Sequence, residues 1–133
     1  MIPIQDLCIG NWVYDGDRTQ FPMFIRAIGE DYVYLDFEGN EGDLWESKPE
    51  ELQGIPLKRN LLDQLGFVAD GNRYEKFNGN WTITIHSFVP LVRIEYELSG
   101  IVMATFTSEK IKYLHELQNA FYMTTKEQLN IKL

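Results

Sequence analysis

The stretch from Thr107 to Tyr122, TSEKIKYLHELQNAFY, constrains this chain more than any other. Ile111, Leu114, Leu117 and Phe121 recur at three- and four-residue steps with Ala120 beside them, which is one apolar stripe of an amphipathic helix. The pattern predicts a helix over 107–122. Thr107 is the expected N-cap, since its hydroxyl can accept from the free amides of the first turn. Phe106 and Ile111 form the expected hydrophobic staple, and Glu109 in the first turn suits the helix dipole. The strands before this helix need its apolar face. The tail Leu129–Leu133 alternates and predicts a short edge strand.

The segments before it read as short strands. Ile9–Tyr14, Met23–Ile28, Tyr32–Phe37 and Leu44–Glu46 are expected strands. They are separated by turns at 15–19, 29–31 and 39–42 that are rich in Gly and Asp. Four or five short strands in some 50 residues suggest a small SH3-like β-barrel or a strongly bent sheet. Ser47–Pro56, with two prolines and a glycine, is the expected boundary. A brief helix is expected within Leu57–Leu65. Gly66 fits its C′ position, and Phe67 is placed to touch Leu62 as in a Schellman cap.

Beyond it, Arg73–Phe77 and Trp81–His86 flank an Asn78-Gly79-Asn80 hairpin signal. Ser87–Pro90 bends the chain. Val92–Leu98 and Ile101–Phe106 complete a meander of about four strands. The fold class is therefore α+β, with an SH3-like β module at residues 1–53 and an α-β-β-β-β-α module at 54–133 that share one compact unit.

Composition narrows function by exclusion. Cys8 is the only cysteine, which rules out an internal disulfide or a cysteine zinc site. No secretory signal and no apolar run of membrane-spanning length is present, so a cytoplasmic protein without membrane attachment is expected. Charge is uneven. Residues 1–56 hold 12 acids and 3 bases, a net −9, while residues 57–133 hold 8 acids and 9 bases, a net +1. An acidic surface is repelled by phosphate, so nucleic acid is not the expected partner.

The chain has no phosphate loop, nucleophile elbow, dinucleotide fingerprint, HExxH or CxxC. No cofactor, metal or catalytic residue is expected. The acidic stretch Asp36–Glu46 fails the EF-hand pattern, because Glu41 and Ser47 stand where glycine and glutamate are needed. His86 sits on the polar face of its strand. A metal site using it and His115 requires further carboxylate ligands.

Three candidate patches remain. His115, Gln118 and Asn119 share one side of the last helix near Glu116 and Tyr122, and they suit either ligand binding or hydrogen bonds that fix the helix. Trp12, Tyr14, Tyr32, Tyr34 and Trp45 crowd the first module, where an aromatic groove can receive a peptide, although alternation sends about half of them into the core. Clustered Asp36, Glu38, Glu41 and Asp43 can imitate phosphate spacing.

The segments IGNWV, GIPL running to LLDQLGF, and YLHELQNAFY together resemble a family of small uncharacterised proteins of Bacteroides-type gut bacteria, their prophages and other mobile elements. The resemblance runs along essentially the whole chain. Its most specific part is the helix bearing His115, Leu117, Gln118 and Asn119. Lys58-Arg59 stands where that family usually has a Thr-Pro helix start, and Lys126 where a glycine often ends the last helix. The resemblance implies a bacterial, cytoplasmic accessory protein and supplies no catalytic residues. The expected function is non-enzymatic protein–protein binding, with oligomeric state open. The rivals are an acidic decoy of DNA-binding enzymes and a small-molecule binder or enzyme using a cleft between modules, with His115 and Asn119 in its wall.

Overall fold

The computed structural model describes residues 2–16, 21–87 and 91–133. It shows an α+β protein with two antiparallel five-stranded sheets and a C-terminal helix. The chain forms two compact units. One comprises residues 1–56 with 113–119, and the other residues 57–112 with 120–133. The expected boundary after residue 53 falls inside a strand.

In the first unit a 3-10 turn at Ile4–Asp6 precedes β1 (Trp12–Tyr14), β2 (Pro22–Ile28), β3 (Val33–Asp36) and β4 (Trp45–Ser47). A second 3-10 turn (Pro49–Glu51) leads into β5 (Gln53–Gly54). The strand order is β4-β3-β2-β1-β5. Among the described residues β4 and β5 do not pair, so the sheet is open and not a closed barrel.

Alternation builds the core of this unit: Val13, Met23, Ile25, Val33 and Leu35 are buried with Ile2, Leu7 and Leu52. A bulge between Ile25 and Ala27 turns the ladder. Ser47–Pro56 ends where the first unit's first segment ends, and it is structured: Pro49 opens the 3-10 turn, Gly54 lies opposite Val13 in a two-residue strand, and Pro56 bridges Tyr113. Ile9 does not join β1: it is exposed, and the Ile9–Gly10 turn ends with Gly10 N donating to Ile25 O.

The second unit opens with α1 (Arg59–Gln64) and continues through β6 (Val68–Asp70), β7 (Arg73–Asn78), β8 (Trp81–His86), β9 (Val92–Leu98) and β10 (Ile101–Ser108). The order β10-β9-β8-β7-β6 makes a plain meander of five strands, one more than expected. The Schellman cap of α1 is present: Phe67 N donates to Leu62 O, Gly66 N donates to Asp63 O, and Gly66 has φ +88°. Asn78 pairs with Trp81 across Gly79, as the hairpin signal requires. Ile83, Ile85, Val92 and Ile94 are buried. Trp81 lies against Tyr96 and Phe121 at centroid distances of 4.9 and 6.4 Å. The turn at 15–19 and the bend at 87–90 lie largely outside the described residues.

The last helix, α2, spans Leu114–Thr125, not 107–122. Phe106, Thr107 and Ser108 instead extend β10, pairing with Ile94, Arg93 and Val92. Thr107 therefore caps nothing, Phe106 and Ile111 make no staple, and Glu109 is not in the first turn. β-branched and aromatic residues with a partner strand at hand favour the ladder over a helix start. The real start lies at Tyr113, whose N–H donates to the Glu116 carboxylate at 3.0 Å, the N3 half of a capping box. The helix ends at Lys126, which adopts φ +63° and donates its N–H to Tyr122 O. The tail forms no strand, but Leu129 is buried. No helix among the described residues is long and apolar enough to cross a membrane.

Candidate functional site

The first half of α2 supplies the richest polar cluster of the first unit. Leu114 and Leu117 are fully buried. Leu114 N donates to Ile55 O at 2.9 Å, and Tyr113 bridges Pro56 in antiparallel fashion. This anchorage sets the polar side of the helix against the segment 6–12. Gln118 is 8% exposed and uses both ends of its amide: Oε1 accepts from Trp12 N at 2.9 Å, and Nε2 donates to Gly10 O at 3.0 Å. Asn119 does the same, accepting from Asn11 Nδ2 and donating to Asp6 O, each at 2.8 Å. Asn11 closes the network by accepting from Cys8 N. These bonds satisfy backbone groups at the end of β1 and hold the helix in place.

His115 differs from its neighbours. It is 4% exposed, and its Nδ1 is buried without a hydrogen-bond partner among the described residues. The Tyr113 ring stacks near it at 5.9 Å. Burial pushes the imidazole pKa below its ordinary value, against the opposing pull of the Glu116 and Asp6 carboxylates. The ring is therefore neutral at pH 7. A pocket of about 390 Å³ adjoins it, lined by Asp6, Gln53, Tyr113, His115 and Glu116 together with the apolar Ile2, Pro3 and Pro56. Gly54 makes room for this wall: a Cβ there would stand 2.6 Å from the Tyr113 ring.

The remaining sequence candidates scatter. Trp12 is a core residue, buried edge-on to Phe24 at 5.2 Å. Trp45 is exposed on β4, with its indole N–H donating to the buried Asp15 carboxylate, which also accepts from Ser47 Oγ. Tyr122 is exposed in the second unit. His86 lies on β8 opposite Arg73, with Nε2 buried and unpartnered among the described residues. No group of three His, Cys, Asp or Glu side chains able to hold a metal occurs among the described residues.

Asp36, the first of the four acids considered as phosphate mimics, is committed internally. It accepts from Arg26 at 2.8 Å, from Asn40 and from Phe37 N, and the Arg26 bond leads in holding its pKa below the usual carboxylate value. Sequence reasoning singled out His115, Gln118 and Asn119 together but missed Asp6 and Tyr113. No spacing rule links residue 6 to residue 113, and the lone glycine in β5 is the one local sign that something approaches closely. No protein-family model, curated protein or solved structure matches the chain.

Proposed function

We propose that the protein is a non-enzymatic bacterial accessory protein that acts by binding another protein, and that the open edge of β10 receives an extended strand of that partner. The observation that supports this reading most is β10 itself. It is eight residues long, pairs only with β9 among the described residues, and carries no charge and no proline. Proteins normally blunt such edges with lysine, proline or short length. Here Ile101, Val102 and Met103 are exposed, with Leu98 beside them. Backbone groups at an open edge supply affinity to an added strand, and alternate side chains supply specificity.

Charge selects the occupant. Glu95 and Glu97 stand opposite Thr105 and Val102 on the neighbouring strand, and Glu95 already faces Arg93 at 3.7 Å. The local carboxylate Glu97 favours a basic residue in the added strand, which β10 of a second copy does not carry. The bacterial and mobile-element setting rests on the three resembling segments alone. An SH3-like first unit is supported by the strand order β5-β1-β2-β3-β4 and the 3-10 turn just before β5. A peptide groove there loses Trp12 to the core. The acidic-decoy reading loses Asp36 to its internal bonds.

A displayed library of ten-residue peptides tests the proposal. Enriched sequences alternate apolar and basic residues, and their binding protects amides within Ala104–Ser108 from hydrogen exchange. Peptides that protect no β10 amide, or a chain that sediments as a dimer with those amides already protected, overturn it.

A further inference from the structure

We propose that the β10 edge reads its partner strand in one fixed frame: the backbone of Thr105 and Thr107 holds it, a bulky apolar side chain lies against Phe106, and a basic side chain stands opposite Thr105. This rests on the strand-addition reading and fixes the phase of the alternation which that reading leaves open.

The frame follows from hydrogen bonds on the far side of β9. Glu97 N donates to Asn80 O, and Leu91 O accepts from His86 N, so Leu91 and Glu97 direct their backbone groups at β8. Along an antiparallel strand that direction alternates from one residue to the next. Val92, Ile94 and Tyr96 therefore face β10, where their partners are Ser108, Phe106 and Ala104. The turn at Ser99 and Gly100, with φ of +53° and +82°, agrees, since it closes on the Leu98–Ile101 pair in the same phase. Thr105 and Thr107 are left with their N–H and C=O groups pointing away from β9. No strand among the described residues meets them there.

Side-chain positions follow from the same phase. Every pairing in this sheet is antiparallel, and an added strand of that sense exchanges hydrogen bonds with Thr105 and Thr107. Its residue between them makes a non-hydrogen-bonded pair with Phe106, the kind of pair in which side chains come closest. Phe106 is half-buried, and its neighbours on its own face are Ala104 and Ser108, too small to fill the space beside its ring. An aromatic or β-branched side chain suits that place. Thr105 and Thr107 lie on the opposite face, where the charge changes along the edge. Glu95 lies behind Thr105 with Glu97 next on the same face, whereas Arg93 lies behind Thr107. A base is therefore favoured opposite Thr105 over Thr107. Read from its N-terminus, the partner segment carries a polar residue, a bulky apolar one, then a lysine or arginine.

Blocked peptides titrated into the full chain and followed by amide NMR and hydrogen exchange test this. The parent peptide is Gly-Ser-Val-Thr-Phe-Lys-Val-Ser-Gly. It is expected to bind saturably and to add protection at the Thr105 and Thr107 amides. Replacing its Phe by Ser is expected to weaken binding at least fivefold, and exchanging its Thr and Lys at least threefold. N-methylation of its Lys or Thr amide removes a bond to Thr105 or Thr107 and is expected to weaken binding at least tenfold. N-methylation of its Phe amide, which points to the far side, is expected to cost less than threefold. Each of these variants leaves the protein itself unaltered, so none can act by unfolding it. Equal losses from N-methylation at Phe and at Lys, affinity indifferent to the Thr–Lys exchange or to loss of the Phe, or new protection at Phe106 in place of Thr105 and Thr107 overturns the frame and leaves strand addition standing. Protection of no β10 amide by any of these peptides or by the library overturns both.

Discussion

The two units solve the same problem with different materials. Each contains one five-stranded antiparallel sheet, yet the strands of the first have two to seven residues and those of the second three to eight. The first unit compensates for short ladders with polar side chains that reach the backbone. Asn11, Gln118 and Asn119 tie β1 to α2, Asp15 joins β1 to β4 through Trp45 and Ser47, and Asp36 joins β3 to Arg26 and Asn40. The second relies on aliphatic and aromatic burial, with Ile83, Ile94 and Phe121 at 2% exposure or less and, among the described residues, side-chain bonds such as Arg59 to Tyr74 and Lys76 to Leu65 O. Short strands leave many backbone groups unpaired, and a buried unpaired group is costly. Side-chain amides are the local remedy where the ladder runs out.

This contrast is sharpest where it can be broken. Phe121→Ala removes the ring set against Trp81 in the second unit and is expected to cost about 3–5 kcal/mol in urea unfolding. Gln118→Ala in the first unit leaves Trp12 N and Gly10 O without their partner and is expected to cost about 2 kcal/mol. A cost near zero for Gln118→Ala would show that water replaces the amide and that the polar network is not what holds β1. Lys126→Gly relieves a left-handed residue at the end of α2 and is expected to stabilise by about 1 kcal/mol, read as a raised unfolding midpoint.

The smallest expected effect is on pH dependence. His115 takes up its proton less readily when folded than at its ordinary value of 6.5. The unfolded chain therefore binds more protons just below that pH, and stability falls as pH drops from 6.5 toward the folded pKa and stays lower beneath it. His115→Gln is expected to flatten this slope in the range pH 5–7. An unchanged slope would place the proton uptake on another group.

Legibility in the sequence followed the range of the interactions. The α1 cap was readable because Leu62, Gly66 and Phe67 lie within six residues and each has one plain role. The Asn78–Trp81 hairpin was readable for the same reason. The start of α2 was not, because Thr107 and Ser108 suit both a cap and a strand end, and the choice depends on Val92 and Arg93 being paired opposite. β5 and β6 were invisible at two and three residues, too short to show a period. The polar face of α2 stood out as His115, Gln118 and Asn119. What those side chains do required knowing that Asp6, Gly10 and Trp12 lie beside them, more than 100 residues away in sequence.

The bulge in β10 sets a length scale. Between Val102 and Ala104 the register against β9 shifts by one residue, so the regular run is Ala104–Ser108. Five residues at about 3.4 Å each span roughly 17 Å. A strand laid on this edge as proposed would keep its alternation over that distance and lose it at Met103, where its next side chain would meet the wrong face. For the proposed added strand the kink is a ruler: a short segment would pair in one frame, and a long uninterrupted β-segment, such as the repeating strands of a fibril, would gain no further pairing past it.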